Sequence, residues 1–201
     1  MKSKTFNVFI KSILAGVMIA VGTISYINCP PPLGALIFSV GLLAILQLKL
    51  SLYTGLVPYA EKWSSIPFLL TVLAGNLVGC CTMFAYPSDV AQQVVEAKML
   101  ETPLHTFIDA CLCGILIYVA VEAFKEGRLL IVIAAVFGFI VCGFEHSIAN
   151  ACFFISARRF DSLTPCYLLC TALGNAVGAI LFRKGTELKY ADNKDRKRLV
   201  E

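Results

Sequence analysis

Charged side chains are scarce in this sequence. Lys, Arg, Asp and Glu make up only 15% of its 201 residues, where a soluble domain carries about a quarter. That scarcity excludes a chain bathed in water on all sides, and once the oily stretches are set aside almost nothing remains for an aqueous domain. The nine cysteines form no C-x-x-C pair and are odd in number, which argues against a zinc ribbon or a complete disulfide framework. They read as free thiols packed as small apolar groups, so no metal and no cofactor is expected. The basic amino end, MKSKTFNVF, leads into an apolar stretch as a signal peptide does, yet no small-residue cleavage site follows. It reads as a retained first helix.

Hydrophobic sequence is what the chain has in abundance, 58% of its residues with a mean hydropathy of +0.80. A bilayer-spanning helix takes about 20 apolar residues. Six such stretches stand out, at 6–27, 33–58, 65–86, 103–124, 129–156 and 163–183. The expected fold class is therefore an all-α integral membrane protein of six transmembrane helices, one membrane domain over 1–201 with a basic tail at 184–201. With both termini in the cytoplasm, the inner segments hold the amino-terminal lysines, Lys62, Lys125, Arg128 and the tail, while the outer loops hold only Lys98, Arg158 and Arg159. That is the positive-inside pattern of a cytoplasmic (inner) membrane protein. It makes the tail an orientation signal facing anionic lipid, and the bilayer, not nucleic acid, its expected partner.

The chain also echoes itself. GNLVG (75–79) returns as GNAVG (174–178), 99 residues later. Two halves of three spans must insert with opposite orientations, and inverted repeats of this kind place a substrate path between them near the midplane. The repeat pairs span two with span five, and polar residues interrupt both. Span two carries Gln47, Lys49, Ser51 and Thr54; span five carries GFEHSIAN (143–150). Irregular backbone at membrane depth survives only where protein or a water-filled cavity satisfies it. Each half is thus expected to contribute one broken helix, whose second piece turns its N–H groups and positive dipole end towards an anion.

GFEHSIAN needs a use, because an ionisable group costs about 2.5–3.5 kcal/mol at a bilayer centre. On a helix, His146 and Asn150 share a face with Phe139, which presents an apolar plug, a histidine and an amide in series. Glu145 points away and holds neighbouring backbone. A histidine can offer a proton to a weak acid near neutral pH, or it can simply bond helices together. Phe38 and Leu42, four apart in span two, are further plug candidates, and Leu52 and Tyr53 sit beside the break. Lys49 needs a partner or water: either Glu145, or an inner vestibule reached by snorkelling. His105, near the outer mouth of span four, reads as interfacial.

GFEHSIAN, LYTG (52–55), HTFIDACLCGIL (105–116) and the paired GN-x-x-G segments together resemble the formate/nitrite transporter family, across about residues 6–183. The resemblance implies an aquaporin-like protomer assembled as a homopentamer, each subunit with its own pore for small monovalent anions such as formate, nitrite, hydrosulfide, acetate or lactate. It implies that His146 is the central pore histidine, that Asn150 is its companion, and that Thr54 faces that histidine from the span-two break. Leu42 and Phe139 would form the outer constriction, and Leu52, Tyr53 and Val121 the inner one. The chain departs from the family pattern at Ser51, often an acidic residue, and at Tyr118, a family asparagine. The family lysine before span four aligns near Thr102, with Lys98 a substitute four residues earlier, and the loops between spans read as short. The expected function is an anion channel or transporter in which His146 can supply a proton. A neutral-solute channel would use the same architecture, but the paired Asn-Pro-Ala boxes of aquaporins are absent. A membrane enzyme built on Glu145 and His146 would need more acids, and only Glu122 is at hand.

Overall fold

A computed structural model describes residues 2–188; residues 189–201, most of the expected basic tail, lie outside the described residues. Among the described residues the regular structure is helical, with no strand: α1 (Lys2–Asn28), α2 (Pro31–Gln47), α3 (Tyr53–Leu56), α4 (Ile66–Cys80), α5 (Asp89–Met99), α6 (Pro103–Lys125), α7 (Leu129–Val141), α8 (Ser147–Ser156) and α9 (Thr164–Glu187). Four helical segments are long and apolar enough to cross a membrane one by one: Thr5–Asn28, Trp63–Ala85, Pro103–Lys125 and Thr164–Glu187. The expected second and fifth spans are not continuous helices. Each is a pair, α2 with α3 and α7 with α8. The last helix also runs on to Glu187, four residues beyond the boundary read from hydropathy, because its final turn is polar rather than apolar.

Packing follows the sequence echo. α1 lies along α4 and α6 along α9, while α2 rests on α1 and α7 on α6. The two long pairs touch backbone to backbone. A Cβ added to Gly79 would lie 2.2 Å from the carbonyl oxygen of Ile13, and one on Gly178 would lie 2.1 Å from that of Cys111. Small residues at such crossings are how membrane helices gain contact without a hydrophobic drive between them. α2 and α7 then meet each other between the pairs.

α5 departs from the expectation of short loops. It begins on a serine cap, with Ser88 accepting the Ala91 N–H at 3.4 Å, carries Asp89 in its first turn and Lys98 in its last, and so suits the helix dipole at both ends. Its buried Ala91 and Val95 pack with Phe153 and Phe154 of α8.

The two breaks are built alike. At the end of α2, Leu50 N–H donates to Ile45 O (2.9 Å) and Lys49 N–H to Leu46 O (3.2 Å); at the end of α7, Phe144 N–H donates to Phe139 O (2.9 Å) and Gly143 N–H to Ile140 O (3.1 Å). Both are Schellman endings, which need a residue in the left-handed region. Gly143 (φ 74°) takes it freely, whereas Lys49 (φ 52°) crowds its Cβ against backbone. Lys49→Gly is accordingly expected to stabilise the protein by about 0.5–1 kcal/mol, and Lys49→Val to destabilise it. The unfolding midpoint in detergent checks both, and a less stable glycine variant would contradict the strain.

Candidate functional site

Two buried asparagines hold the breaks open. Asn76 of α4 donates through Nδ2 to Ser12 O and Ser51 O, each at 2.8 Å, and its Oδ1 accepts the Tyr53 N–H at 2.9 Å. Asn175 of α9 donates to Ala110 O (2.8 Å) and Glu145 O (2.7 Å) and accepts the Ser147 N–H at 2.9 Å. Each amide thereby ties a long helix to the exposed backbone at a break. Without them those N–H and C=O groups would lie buried and unpaired at a cost of kilocalories. The GN-x-x-G echo thus has a physical content: glycine lets the helices approach, and asparagine satisfies the interrupted chain between them.

His146 is placed by this arrangement rather than by helical periodicity. The helix stops at Val141 and resumes at Ser147, and His146 between them is extended (φ −97°, ψ 113°) as the N-cap of α8. The expected common helical face of Phe139, His146 and Asn150 is therefore not how these residues meet. The imidazole Nδ1 accepts the Ala149 N–H at 3.0 Å, which leaves the ring proton on Nε2. Nε2 lies 2.9 Å from Thr54 Oγ1 and donates to it. Histidine and threonine, 2% and 0% exposed, join the two broken segments at one point.

A cavity of about 320 Å³ leads to this point, with Phe38, Phe139, Glu145, His146 and Asn150 in its wall. The Phe139 ring stacks on His146 (centroids 5.7 Å, 19°) and meets Phe38 edge-on (6.2 Å, 86°); Leu42 is buried in the same apolar core. Leu52, Tyr53 and Val121 belong to that core but not to the cavity wall. Tyr53 donates its hydroxyl to Ala172 O at 3.2 Å. Ser51 serves through its backbone, by the carbonyl that Asn76 holds and an N–H 3.4 Å from Lys11 O.

The partner of Glu145 is not Lys49. Lys98 of α5 reaches it at 2.8 Å, and Asn150 donates to its second oxygen at 2.6 Å. Lys49 is exposed at the end of α2, and none of the described carboxylates pairs with it. Sequence spacing could not find the Lys98 partner, because α5 brings it across from another segment; only its place near the family lysine marked it. Beyond α3, Tyr59 donates to Glu122, Lys125 bonds the same carboxylate at 2.7 Å, and Arg183 holds Pro58 O (2.9 Å) and Glu61 (2.7 Å). Glu122 is thus engaged in a structural cluster and does not converge with His146 as an enzyme's second acid would.

Removing one member of a buried ion pair strands the other at about 3–5 kcal/mol. Lys98→Met is expected to lose stability on that scale, and adding Glu145→Gln to restore part of it. Thermal unfolding in detergent measures both; a Lys98→Met protein as stable as its parent would contradict the pairing.

The family model described as formate/nitrite transporter matches residues 1–187. No curated protein matches the chain. Among solved structures, one described as an FNT family ion channel superposes with a TM-score of 0.77 at 22% identity, covering 88% of this chain and 87% of its own. A pentameric formate channel with formate bound superposes with a TM-score of 0.77 at 23% identity, covering 92% of this chain and 96% of its own. The apolar helices, the paired breaks and the family match agree: this chain is a multi-pass membrane protein that belongs to the formate/nitrite transporter family, whose members are channels and transporters and not enzymes.

Proposed function

We propose that the protein is a channel or transporter for small monovalent anions of weak acids, of the formate, nitrite and hydrosulfide class, and that the substrate passes the contact between His146 and Thr54. The observation that carries the reading is that contact. A neutral imidazole in the wall of a cavity that also carries aromatic rings directs its N–H at a hydroxyl from the other broken segment, just beyond that cavity. The proposed protomer crosses the bilayer six times as two inverted three-helix repeats, α1–α4 and α6–α9, in an aquaporin-like arrangement. Five copies assemble, each with its own pore. Both termini face the cytoplasm across the inner membrane, and α5 faces outward, as the distribution of lysine and arginine supports.

The physics of passage is dehydration. An anion entering between Phe38, Leu42 and Phe139 loses water it cannot afford to lose at low dielectric. The amino end of α8 offsets part of that loss with its positive potential, and Nε2–H replaces a water as hydrogen-bond donor once the substrate displaces Thr54. Proton transfer needs a ring that has first gained a second proton from water: the imidazolium gives one proton to the anion and returns to the neutral form, and the substrate crosses the Leu52, Tyr53 and Val121 layer as a neutral acid. The ring then regains its proton from the far side or from water. The second proton sits on Nδ1 and displaces the Ala149 N–H, so between transfers the cap holds the ring neutral, as a hydrogen-bond donor at Nε2. Asn150 holds Glu145 in place beside the path.

His146→Phe or His146→Asn is expected to abolish proton-linked uptake in proteoliposomes offered formate, nitrite, hydrosulfide or lactate. The assembled particle should keep its five-subunit mass. Unchanged transport with an unchanged pH profile would overturn the role of His146.

A further inference from the structure

His105, Glu101 and Asp109 have no part in that path, yet they line the mouth of the same cavity. His105 and Asp109, four apart on α6, share one face, and Glu101, just before the Thr102 cap, folds back to the same imidazole. His105 Nδ1 lies 2.7 Å from Glu101 Oε2 and 3.6 Å from Asp109 Oδ2, with Asp109 the least exposed of the three. The other charged groups facing the cavity are Lys98 from α5 and Glu145 from the break, and they neutralise each other at 2.8 Å. Three carboxylates therefore meet one lysine, and that lysine is spent. His105 offsets at most one charge more. The mouth of a pore for anions carries a negative field.

Resting on the function proposed above, we infer that Glu101 and Asp109 determine specificity: they oppose the free anion at the vestibule mouth and leave the undissociated acid unhindered. A cleft with low-dielectric walls focuses such a field and sets the local concentration of a charged solute. The two carboxylates belong to the mouth and not to the fold's interior. Neither bonds backbone through its side chain among the described residues, so their removal changes charge with little change in packing.

The test is initial formate uptake by proteoliposomes at pH 7.5, where formate is anionic, at low and high ionic strength. The double variant Glu101→Gln/Asp109→Asn is expected to take up formate about 5-fold faster than the parent at low salt, from two charges removed at roughly 8 Å. The gain should shrink towards parity at about 0.5 M salt, where the Debye length is roughly 4 Å and charges about 8 Å away are screened. Glu101→Lys, which reverses one charge, should match or exceed the double variant. A transporting parent whose variants show equal uptake at low salt, or a gain that survives high salt unchanged, would overturn the inference and leave the proposed function standing. A parent no faster than empty liposomes for any of the four acids would overturn both.

Discussion

A helix interrupted at membrane depth leaves N–H and C=O groups that neither lipid nor helix can satisfy. Everything at the centre of this protein depends on how that debt is met. Asn76 and Asn175 each bridge a neighbouring helix carbonyl, a carbonyl within a break and the first N–H of the helix that follows it. Because Asn175 holds Glu145 O and Ser147 N–H, the residue between them must be extended, and that residue is His146. Because Asn76 holds Ser51 O and Tyr53 N–H, α3 starts where Thr54 can meet Nε2. The close crossings at Gly79 and Gly178 bring the asparagines within reach of both partners.

The polar residues of the interior then fall into place by exclusion. Glu145 would be costly alone, but Lys98 and Asn150 each take one of its oxygens. The imidazole would float between tautomers, but the Ala149 N–H occupies Nδ1 and fixes the proton on Nε2. The remaining ring N–H is directed at the Thr54 hydroxyl, a donor that an anion stripped of its water can take over. The aromatic pair Phe38 and Phe139 closes over it from the vestibule side.

Much of this was legible before any coordinates. Four of the oily stretches, at 6–27, 65–86, 103–124 and 163–183, correspond to the helical segments long enough to cross a membrane, the polar runs at 47–54 and 143–150 mark the two breaks, and the GN-x-x-G echo marks the two close helix crossings. The departures share a cause. Hydropathy sees length and oil but not hydrogen bonds, so it missed α5, whose signal is a serine cap with dipole-matched charges. Helical periodicity assigned His146 to a face, because it assumes a continuous helix at the one place where the helix stops. Lys49 drew attention as a buried cation, yet its place in the chain is the left-handed residue that ends α2, a position that glycine fills in the other break.

The account stands or falls on the two asparagines. The most direct measurement is the stability of Asn76→Ala and Asn175→Ala in detergent, by denaturant titration beside the parent. Each replacement leaves one N–H and one carbonyl of a break unpaired in the interior and removes a bond to a neighbouring helix, so each should cost about 3 kcal/mol. An unfolding curve superimposable on the parent's, for either variant, would contradict the claim that these amides hold the broken helices in place.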